Sequence, residues 1–505
     1  MSYASAVESL YALGHELARQ PGDPLDGSGS PGPSRRKWDL AHMRTLCAAL
    51  GDPQLAFRSV LIAGTNGKGS TAATMATILA TAGYRTALYT SPHLIRINER
   101  IQVSRGRAPL QPVADDDFAR CYFQVDDTAQ DLVRQGKLPH PPSFFEVMTA
   151  VGFLCFAEFR VEIAVLEAGL GGRLDATNIV QPMLSVITDI SLDHMEWLGN
   201  TIAEIAREKA GILRPNGILV TLPQHPEASQ AIGEAAVAFN VRAVNAAAYM
   251  PALSAGRSTV PVTSSQFTAQ DGLLGNLYAL TVLGQEIAID SPLAGQHQQR
   301  NIALAIAAVV EIGRIETATG EANDALTHVN QGQRRVITAA SIEAGVHNTS
   351  WPGRLEGLPL LDGKFVLLDV AHNPAGAWAL RSALSGLPED RPRTLLFGCL
   401  RDKAFVEIAQ ILVPLFDRAS DHVLVTPVDN PRSATAAQLL AAVEPFAAAQ
   451  AAQDVPAALA RAVELTPPGG ILVVTGSIYL VGGVRSILIP QRQEVRTSRH
   501  REART

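Results

Sequence analysis

Leu61-Ile62-Ala63-Gly64-Thr65-Asn66-Gly67-Lys68-Gly69-Ser70 is the stretch on which the fold turns. Ser59 to Ile62 reads as a short buried strand. Gly64 to Gly69 is a glycine-rich turn carrying one lysine. Ser70 opens a helical pattern through Met75, Ile78 and Leu79 that stops at Gly83. Strand, glycine loop and helix in succession form the arrangement that cradles phosphates. Glycines let backbone N–H groups approach the oxygens, and the helix N-terminus carries partial positive charge. Lys68 adds a full charge suited to β- and γ-phosphates. The spacing departs from the common Gly-x4-Gly-Lys-Ser/Thr form, because two residues separate Gly64 from Gly67 and Gly69 follows Lys68. The stretch is therefore either a site for ATP or a related nucleotide, or a tight strand–helix turn that uses glycine for positive φ.

Working outward, strand-like and helix-like segments alternate. Val161–Glu167, Leu184–Thr188 and Ile218–Leu222 have strand length, with helical patterns over Glu146–Phe159 and Thr201–Ala210. That alternation predicts a parallel sheet with helices on both faces, and ligands in such sheets bind beyond the strand C-termini. A second series follows Trp351-Pro352-Gly353. Phe365–Val370, Thr394–Gly398, His422–Thr426 and Ile471–Thr475 read as strands, with helical patterns over Ala436–Val443 and Ala457–Leu465. The expected boundary lies between Ser341 and Pro352. Tyr249–Pro292, with turn residues and short β-like runs, reads as an antiparallel excursion on the first domain. Met1–Arg19 reads as an amphipathic helix on Leu10, Leu13 and Leu17, and the Gly-, Pro- and Ser-rich Pro21–Arg36 as a loop. The basic stretch Pro490–Thr505 is either a disordered end or a nucleic-acid arm.

The 505 residues exceed one ordinary core, so two domains are expected. A hydrophobic content of 47% with 18% charged residues fits a globular enzyme, and a net charge of −6 implies no general nucleic-acid affinity. Cys47, Cys121, Cys155 and Cys399 form no CxxC pair, which suggests neither a disulfide framework nor a zinc site and fits a reducing cytoplasm. No apolar run is long enough to span a membrane, and the N-terminal stretch lacks the apolar core of a signal peptide.

Several polar residues stand where chemistry is done. Glu167 ends an apolar strand and runs into glycines, as a Mg²⁺ ligand or a solvated strand-end carboxylate. His194 follows another strand, as a ligand or an ordinary loop histidine. Lys209 lies in the last turn of a helix started by a Thr201–Glu204 capping box and stopped at Gly211, where a cation also offsets the helix dipole. Arg354 sits in a constrained Trp-Pro-Gly-Arg turn, as a phosphate fork or a surface arginine. Asp369-Val370-Ala371-His372-Asn373-Pro374 follows a strand and ends at a helix start, as a functional cluster or a plain strand-end turn. One polar cluster in each domain suggests a cleft whose closure assembles the site.

Taken together these motifs resemble the folylpolyglutamate synthases and dihydrofolate synthases, within the Mur-type ATP-dependent amide ligases. The matching pieces run in order: GTNGKGS at 64–70, SPHL at 91–94, FFEV at 144–147, LEAGLGGRLDATN at 166–178, SLDHMEWLGNTIAEIAREKAGI at 191–212, GQHQQRN at 295–301, WPGRLE at 351–356 and LDVAHNP at 368–374. That family uses the shortened phosphate loop. Residues 246–284 match nothing in its pattern. The resemblance implies an N-terminal P-loop-type parallel-sheet ATPase domain (1–345), a smaller C-terminal Rossmann-like α/β glutamate-ligase domain (346–489) and a basic tail (490–505), with the active site in the interdomain cleft.

By position, the resemblance makes Gly64, Thr65, Asn66, Gly67, Lys68, Gly69 and Ser70 the ATP phosphate loop, with Asn301, Arg354 and Asp369 as further ATP contacts. It makes Ser91, Glu167, His194 and Lys209 ligands of a pair of Mg²⁺ ions, Lys209 after reaction with CO₂ to a carbamate. That requires a lysine amine of lowered pKa. It puts Asp39, Leu40, Glu146, Leu174, Asp175 and Ala176 at the pterin, and His372 and Tyr479 near the incoming amino acid.

The implied reaction is ATP-dependent. The carboxylate of dihydropteroate or of a reduced folate is phosphorylated, and the amine of L-glutamate displaces phosphate from the acyl phosphate. Lys68 neutralises transferred charge, and Asp369 or His372 assists deprotonation. Two other readings stay open: a cell-wall Mur ligase, and a non-catalytic nucleotide-binding protein. The first calls for a uridine-nucleotide module before the loop, where only about sixty residues stand, short for a domain. The second is opposed by the set Lys68, Glu167, His194 and Lys209. A cytoplasmic monomer without nucleic-acid or membrane partners is expected, since the implied site draws on one chain.

Overall fold

The computed structural model describes residues 2–14, 39–251, 275–324, 335–388 and 390–489. The described residues fall into two units. The first holds those up to 251 with Leu280–Ile287 and Arg300–Asn348; the second holds 275–279, Ala288–Gln299 and those from Thr349 onward.

The first unit is built on strands β1 (Arg58–Ala63), β2 (Thr86–Tyr89), β3 (Ile101–Ser104), β4 (Gln111–Pro112), β5 (Ile163–Glu167), β6 (Pro182–Ile187), β7 (Ile218–Thr221) and β8 (Arg242–Asn245). They form one sheet in the order β4-β3-β2-β5-β1-β6-β7-β8. The pairs from β2 through β8 are parallel, and only β3 and β4 at one edge run antiparallel. The central strand β1 is buried from Ser59 through Ala63 and β5 along its whole length. Unbroken apolar runs of this kind are what a parallel strand covered on both faces requires.

Register decides what meets at the carboxyl edge. Ile62 of β1 pairs with Glu167, Ala63 with Ile187 of β6, and Tyr89 of β2 with Leu166. Gly64, Glu167, Thr188 and Ser91 therefore leave the sheet side by side, where open α/β sheets bind ligands.

The helices of this unit are α1 (Tyr3–Ala12), α2 (Leu40–Ala49), α3 (Lys68–Thr81), α4 (Asp115–Arg134), α5 (Phe144–Glu158), α6 (Met195–Leu198), α7 (Ile202–Ala210) and α8 (Pro226–Ala238), with α9 (Gln296–Asp324) from Arg300 onward and α10 (Ala339–His347) after the hairpin described next. Helix α3 starts at Lys68, two residues before the Ser70 expected from sequence, because left-handed Gly67 (φ 87°) serves as its N-cap. Helix α1 starts on a Ser2–Ser5 capping box and buries Leu10; Leu17, like Pro21–Arg36, lies outside the described residues. The Thr201–Glu204 box caps α7, Glu204 N–H donating to Thr201 Oγ1 at 3.2 Å. Strand β5 is shorter than Val161–Glu167 because Val161 N–H closes the turn after α5 by donating to Phe156 O.

From the expected excursion at Tyr249–Pro292, the described part is a hairpin, β9 (Asn276–Val282) and β10 (Gln285–Ser291). Its turn is Leu283-Gly284, both at positive φ (52° and 75°), the backbone that matches the twist of paired strands. Residues 252–274 and the tail 490–505 lie outside the described residues.

The second unit carries β11 (Glu356–Pro359), β12 (Phe365–Leu368), β13 (Arg393–Phe397), β14 (His422–Val425), β15 (Ala449–Ala451) and β16 (Ile471–Thr475) in the order β11-β12-β16-β13-β14-β15. Only β11 is antiparallel to its neighbour. Its helices are α11 (Pro374–Ser385), α12 (Phe405–Leu412), α13 (Ala436–Val443), α14 (Val455–Leu465) and a last one over 478–489. Among the described residues no helix is long and apolar enough to cross a membrane. The four cysteines are buried free thiols.

Candidate functional site

The glycine loop leaves β1 with no room for side chains. A Cβ on Gly64 would lie 1.8 Å from Thr188 Oγ1, and one on Gly67 2.1 Å from Asn301 Oδ1. The loop is tied to the segment after β6. Thr65 and Asn66 N–H donate to Asp189 O (2.8 and 3.1 Å), and Ser191 N–H donates to Thr65 Oγ1 (3.1 Å). Asn66 Nδ2 donates to Ser191 Oγ at 3.1 Å. Gly67 provides no side-chain cap to α3. The N–H groups of its first turn, through Lys68, Gly69 and Ser70, thus form the uncapped helix start that suits an anion.

Beside the loop, charge is concentrated. Lys68 Nζ donates to Thr65 O (3.2 Å) and lies 3.9 Å from Glu167 Oε1, while Glu167 Oε2 accepts from Ser91 N–H at 3.2 Å. Glu167 is 4% exposed, so its carboxylate is held inside by these partners. Lys209 is equally enclosed, at 4% exposed. Its Nζ donates to Gly64 O at 2.6 Å. Burial first, then the charge of Lys68, lowers its pKa from 10.5 to about 7, against the pull of Asp193 and Asp175. A solvated helix-end lysine would show neither feature.

His194 opens α6 in a left-handed conformation (φ 51°), its Nε2 4.0 Å from Asp193 Oδ1. Among the described residues no three His, Cys, Asp or Glu side chains are grouped to hold a metal. The oxygen donors at the sheet edge, the Glu167 carboxylate above all, are of the kind Mg²⁺ takes, with phosphates and water filling the rest of its shell.

The six residues tied to the pterin by resemblance lie on touching elements. Helix α2 packs against α5 and against the 3₁₀ turn Ala176–Ile179. Asp39 and Leu40 start α2, and Asp39 Oδ1 caps it by accepting from Ala41 N–H at 2.9 Å. Glu146 Oε2 accepts from Ser143 N–H (2.8 Å) and Oγ (2.7 Å), and its Oε1 lies 3.4 Å from His42 Nδ1. Burial pushes this carboxyl up, but His42 and Ser143 outweigh it and leave the pKa lowered. Asp175, fully buried between Leu174 and Ala176, accepts from Gly169 and Leu170 N–H on one oxygen and from Thr177 N–H and Oγ1 on the other. Its carboxylate clasps the loop after β5, and burial leaves its pKa raised.

In the second unit, Asp369 is 7% exposed and accepts from Leu355 N–H and Ala371 N–H, both at 2.9 Å. Burial raises its pKa against the opposing charges of His297 and Arg354. Arg354 Nη1 donates to Gly353 O at 3.2 Å. His372 Nδ1–H donates to Val370 O at 2.9 Å, so Nε2 is the ring's basic nitrogen. Asn373 caps α11 through Gly376 N–H (2.8 Å) with Pro374 in its first turn. Tyr479 is half-buried on the last helix, and its N–H donates to Ser477 Oγ at 3.2 Å.

Sequence reasoning gave no role to Asp189, Asp193 or Arg300. Asp189 receives the loop, Asp193 faces Lys209, and Arg300 forks onto Asp189. Asp189 had one signal, a strand-end position like that of Glu167. Nothing in the chain links it to an arginine so distant in sequence.

Comparison with known proteins shows what the chain is similar to. Residues 148–309 match the Mur ligase middle domain, and 353–478 match the Mur ligase glutamate ligase domain. The dihydrofolate synthase/folylpolyglutamate synthase of Bacillus subtilis (strain 168) is 31% identical over 463 residues, 89% of this chain and 94% of that protein. The folylpolyglutamate synthase of Lacticaseibacillus casei is 32% identical over 453 residues, with coverage of 89% and 94%. Mycobacterium tuberculosis folylpolyglutamate synthase complexed with ADP superposes with a TM-score of 0.75 at 28% identity, over 95% of this chain and 98% of that one. E. coli FolC in complex with DHPP and ADP gives 0.70 at 25%, over 97% and 99%. With both Mur ligase domains in order and relatives more than 30% identical along most of its length, the chain belongs to the dihydrofolate synthase/folylpolyglutamate synthase family of ATP-dependent ligases.

Proposed function

We propose that the protein joins L-glutamate to both dihydropteroate and reduced folates, through an acyl phosphate made at the expense of ATP. The observation that carries the reading is the junction at the sheet edge: the uncapped start of α3, Lys68 against Glu167, and Lys209 on Gly64 O. The first-turn N–H groups of α3 bind the polyphosphate. Lys68 holds the γ-phosphoryl group and offsets charge as it moves to the carboxylate oxygen. Glu167, Ser91, His194 and Lys209 would hold Mg²⁺, which supplies Lewis-acid stabilisation of the phosphate oxygens when bound.

A pKa of about 7 leaves about half of Lys209 as the free amine at neutral pH. The neutral amine can then add to CO₂, forming an N–C bond and releasing one proton, which would turn it into an anion suited to hold Mg²⁺. Asn301, Arg354 and Asp369 contact ATP. Leu174, Asp175 and Ala176 with Asp39, Leu40 and Glu146 line the pterin side. His372 Nε2 takes the proton from the glutamate ammonium, and Tyr479 lies near that amine. The protein acts as a monomer in the cytoplasm.

The test is phosphate release by the purified chain with ATP, Mg²⁺ and L-glutamate, with dihydropteroate or tetrahydrofolate as acceptor. Turnover with both supports the proposal. Turnover with one acceptor alone removes the dual activity, undiminished turnover in excess chelator removes the metal, and silence with both acceptors refutes the reading.

A further inference from the structure

Asp189 serves the glycine loop with its backbone and carries a carboxylate on the same residue. Its carbonyl accepts the N–H groups of Thr65 and Asn66 and so braces the first turn of the loop. Its carboxylate is thereby an anion carried on a residue that touches the loop at the same sheet edge. Arg300 answers that charge. Its Nε donates to Asp189 Oδ1 and Oδ2 (3.1 and 2.8 Å), and its Nη2 donates to Oδ1 at 2.5 Å and to Pro223 O at 3.0 Å. The next residue, Asn301, is the one whose Oδ1 lies where a Cβ on Gly67 would fall.

Surface ion pairs contribute little to stability, and this one is partly exposed, at 29% for Arg300 and 37% for Asp189. Its geometry sets it apart. The planar fork meets the carboxylate through two nitrogens and is pinned a second time by a backbone carbonyl, so the charge is held in one place.

We propose that Arg300 and Asp189 are a positioning pair for nucleotide binding, in which Arg300 neutralises the anion that Asp189 must bring to the phosphate loop. The proposal rests on reading residues 64–70 as that loop. It makes a prediction that a merely structural salt bridge does not: once Arg300 is gone, removing the charge of its partner restores function. Arg300→Ala leaves an unneutralised carboxylate on the residue that braces the loop. Arg300→Ala/Asp189→Asn leaves a neutral amide on the same backbone carbonyl.

The experiment is calorimetric titration of ADP into the full chain and these variants, with thermal unfolding as the fold control. Arg300→Ala should weaken ADP binding about tenfold, Asp189→Asn alone no more than about threefold, and the double variant should return to within about threefold of the parent. KM for ATP should follow the same order, with kcat within about twofold of the parent in every variant. Arg300→Lys keeps the charge without the fork and should stay within about threefold, so the charge reading remains testable if Arg300→Ala does not fold. A parent-like Arg300→Ala, a double variant as weak as Arg300→Ala, or a tenfold loss in Arg300→Lys would each overturn the proposal. A parent chain that binds no ADP would sink the phosphate-loop reading itself, and this pair with it.

Discussion

Replacing Lys209 with methionine should make the protein more stable near neutral pH. Lys209 is 4% exposed, and its amine is held down to about 7 from 10.5 by burial and by Lys68. The sign follows from linkage. A lysine whose folded pKa is depressed binds its proton less readily folded than unfolded, so folding carries a penalty below the folded pKa. The penalty fades as pH rises toward the unfolded value, and stability rises with pH between about 7 and 10.5. The penalty amounts to about 4 kcal/mol at pH 7 and about 2 kcal/mol at pH 9.

Methionine has a similar reach and no charge to desolvate, but it leaves Gly64 O without the donor now 2.6 Å away. That loss costs about 1–3 kcal/mol. Lys209→Met should therefore gain about 1–3 kcal/mol over the parent at pH 7, an advantage that shrinks by about 2 kcal/mol at pH 9. The assay is urea unfolding followed by circular dichroism at several pH values in CO₂-free buffer, since a carbamate would replace the cation. A difference between the two chains that moves by less than about 0.5 kcal/mol over that range would refute the desolvated amine.

Gly67→Ala should abolish tight nucleotide binding. Its Cβ would fall 2.1 Å from Asn301 Oδ1 on a backbone at φ 87°, so either α3 loses its start or Asn301 is displaced. A loss of at least about tenfold in ADP affinity by calorimetry is expected, and parent-like affinity would contradict the packing argument. His372→Ala should lower kcat about a hundredfold with KM for ATP unchanged, as for removal of a general base; an unchanged kcat in steady-state assays would remove His372 from that role.

Much of the architecture was legible because buried parallel strands write themselves as apolar runs. Ile471–Thr475 and Ala436–Val443 fall as expected, and the other strands of the second series shift by a residue or two at their ends. Strands β2, β3, β4, β8, β11 and β15 went unread. They are short, and β4 and β8 carry the polar and exposed residues of sheet edges. The start of α3 was misplaced because helical periodicity begins at Ser70, whereas the cap is a matter of φ at Gly67.

The chain by itself determined which residues could do chemistry: one lysine in a glycine turn, a glutamate at a strand end, a lysine in the last turn of a capped helix. Their types and spacing are local, and local spacing governs secondary structure and the residues that flank it. What each of them is depends on where the folded chain puts it. Register brings Glu167 level with Ile62 and so beside the loop, and enclosure drops the proton affinity of Lys209 toward neutrality. Asp189 acquires both a loop to brace and an arginine to hold it. Charge, burial and hydrogen bonding act through space, and residues far apart in the chain meet only when parallel strands end at the same edge.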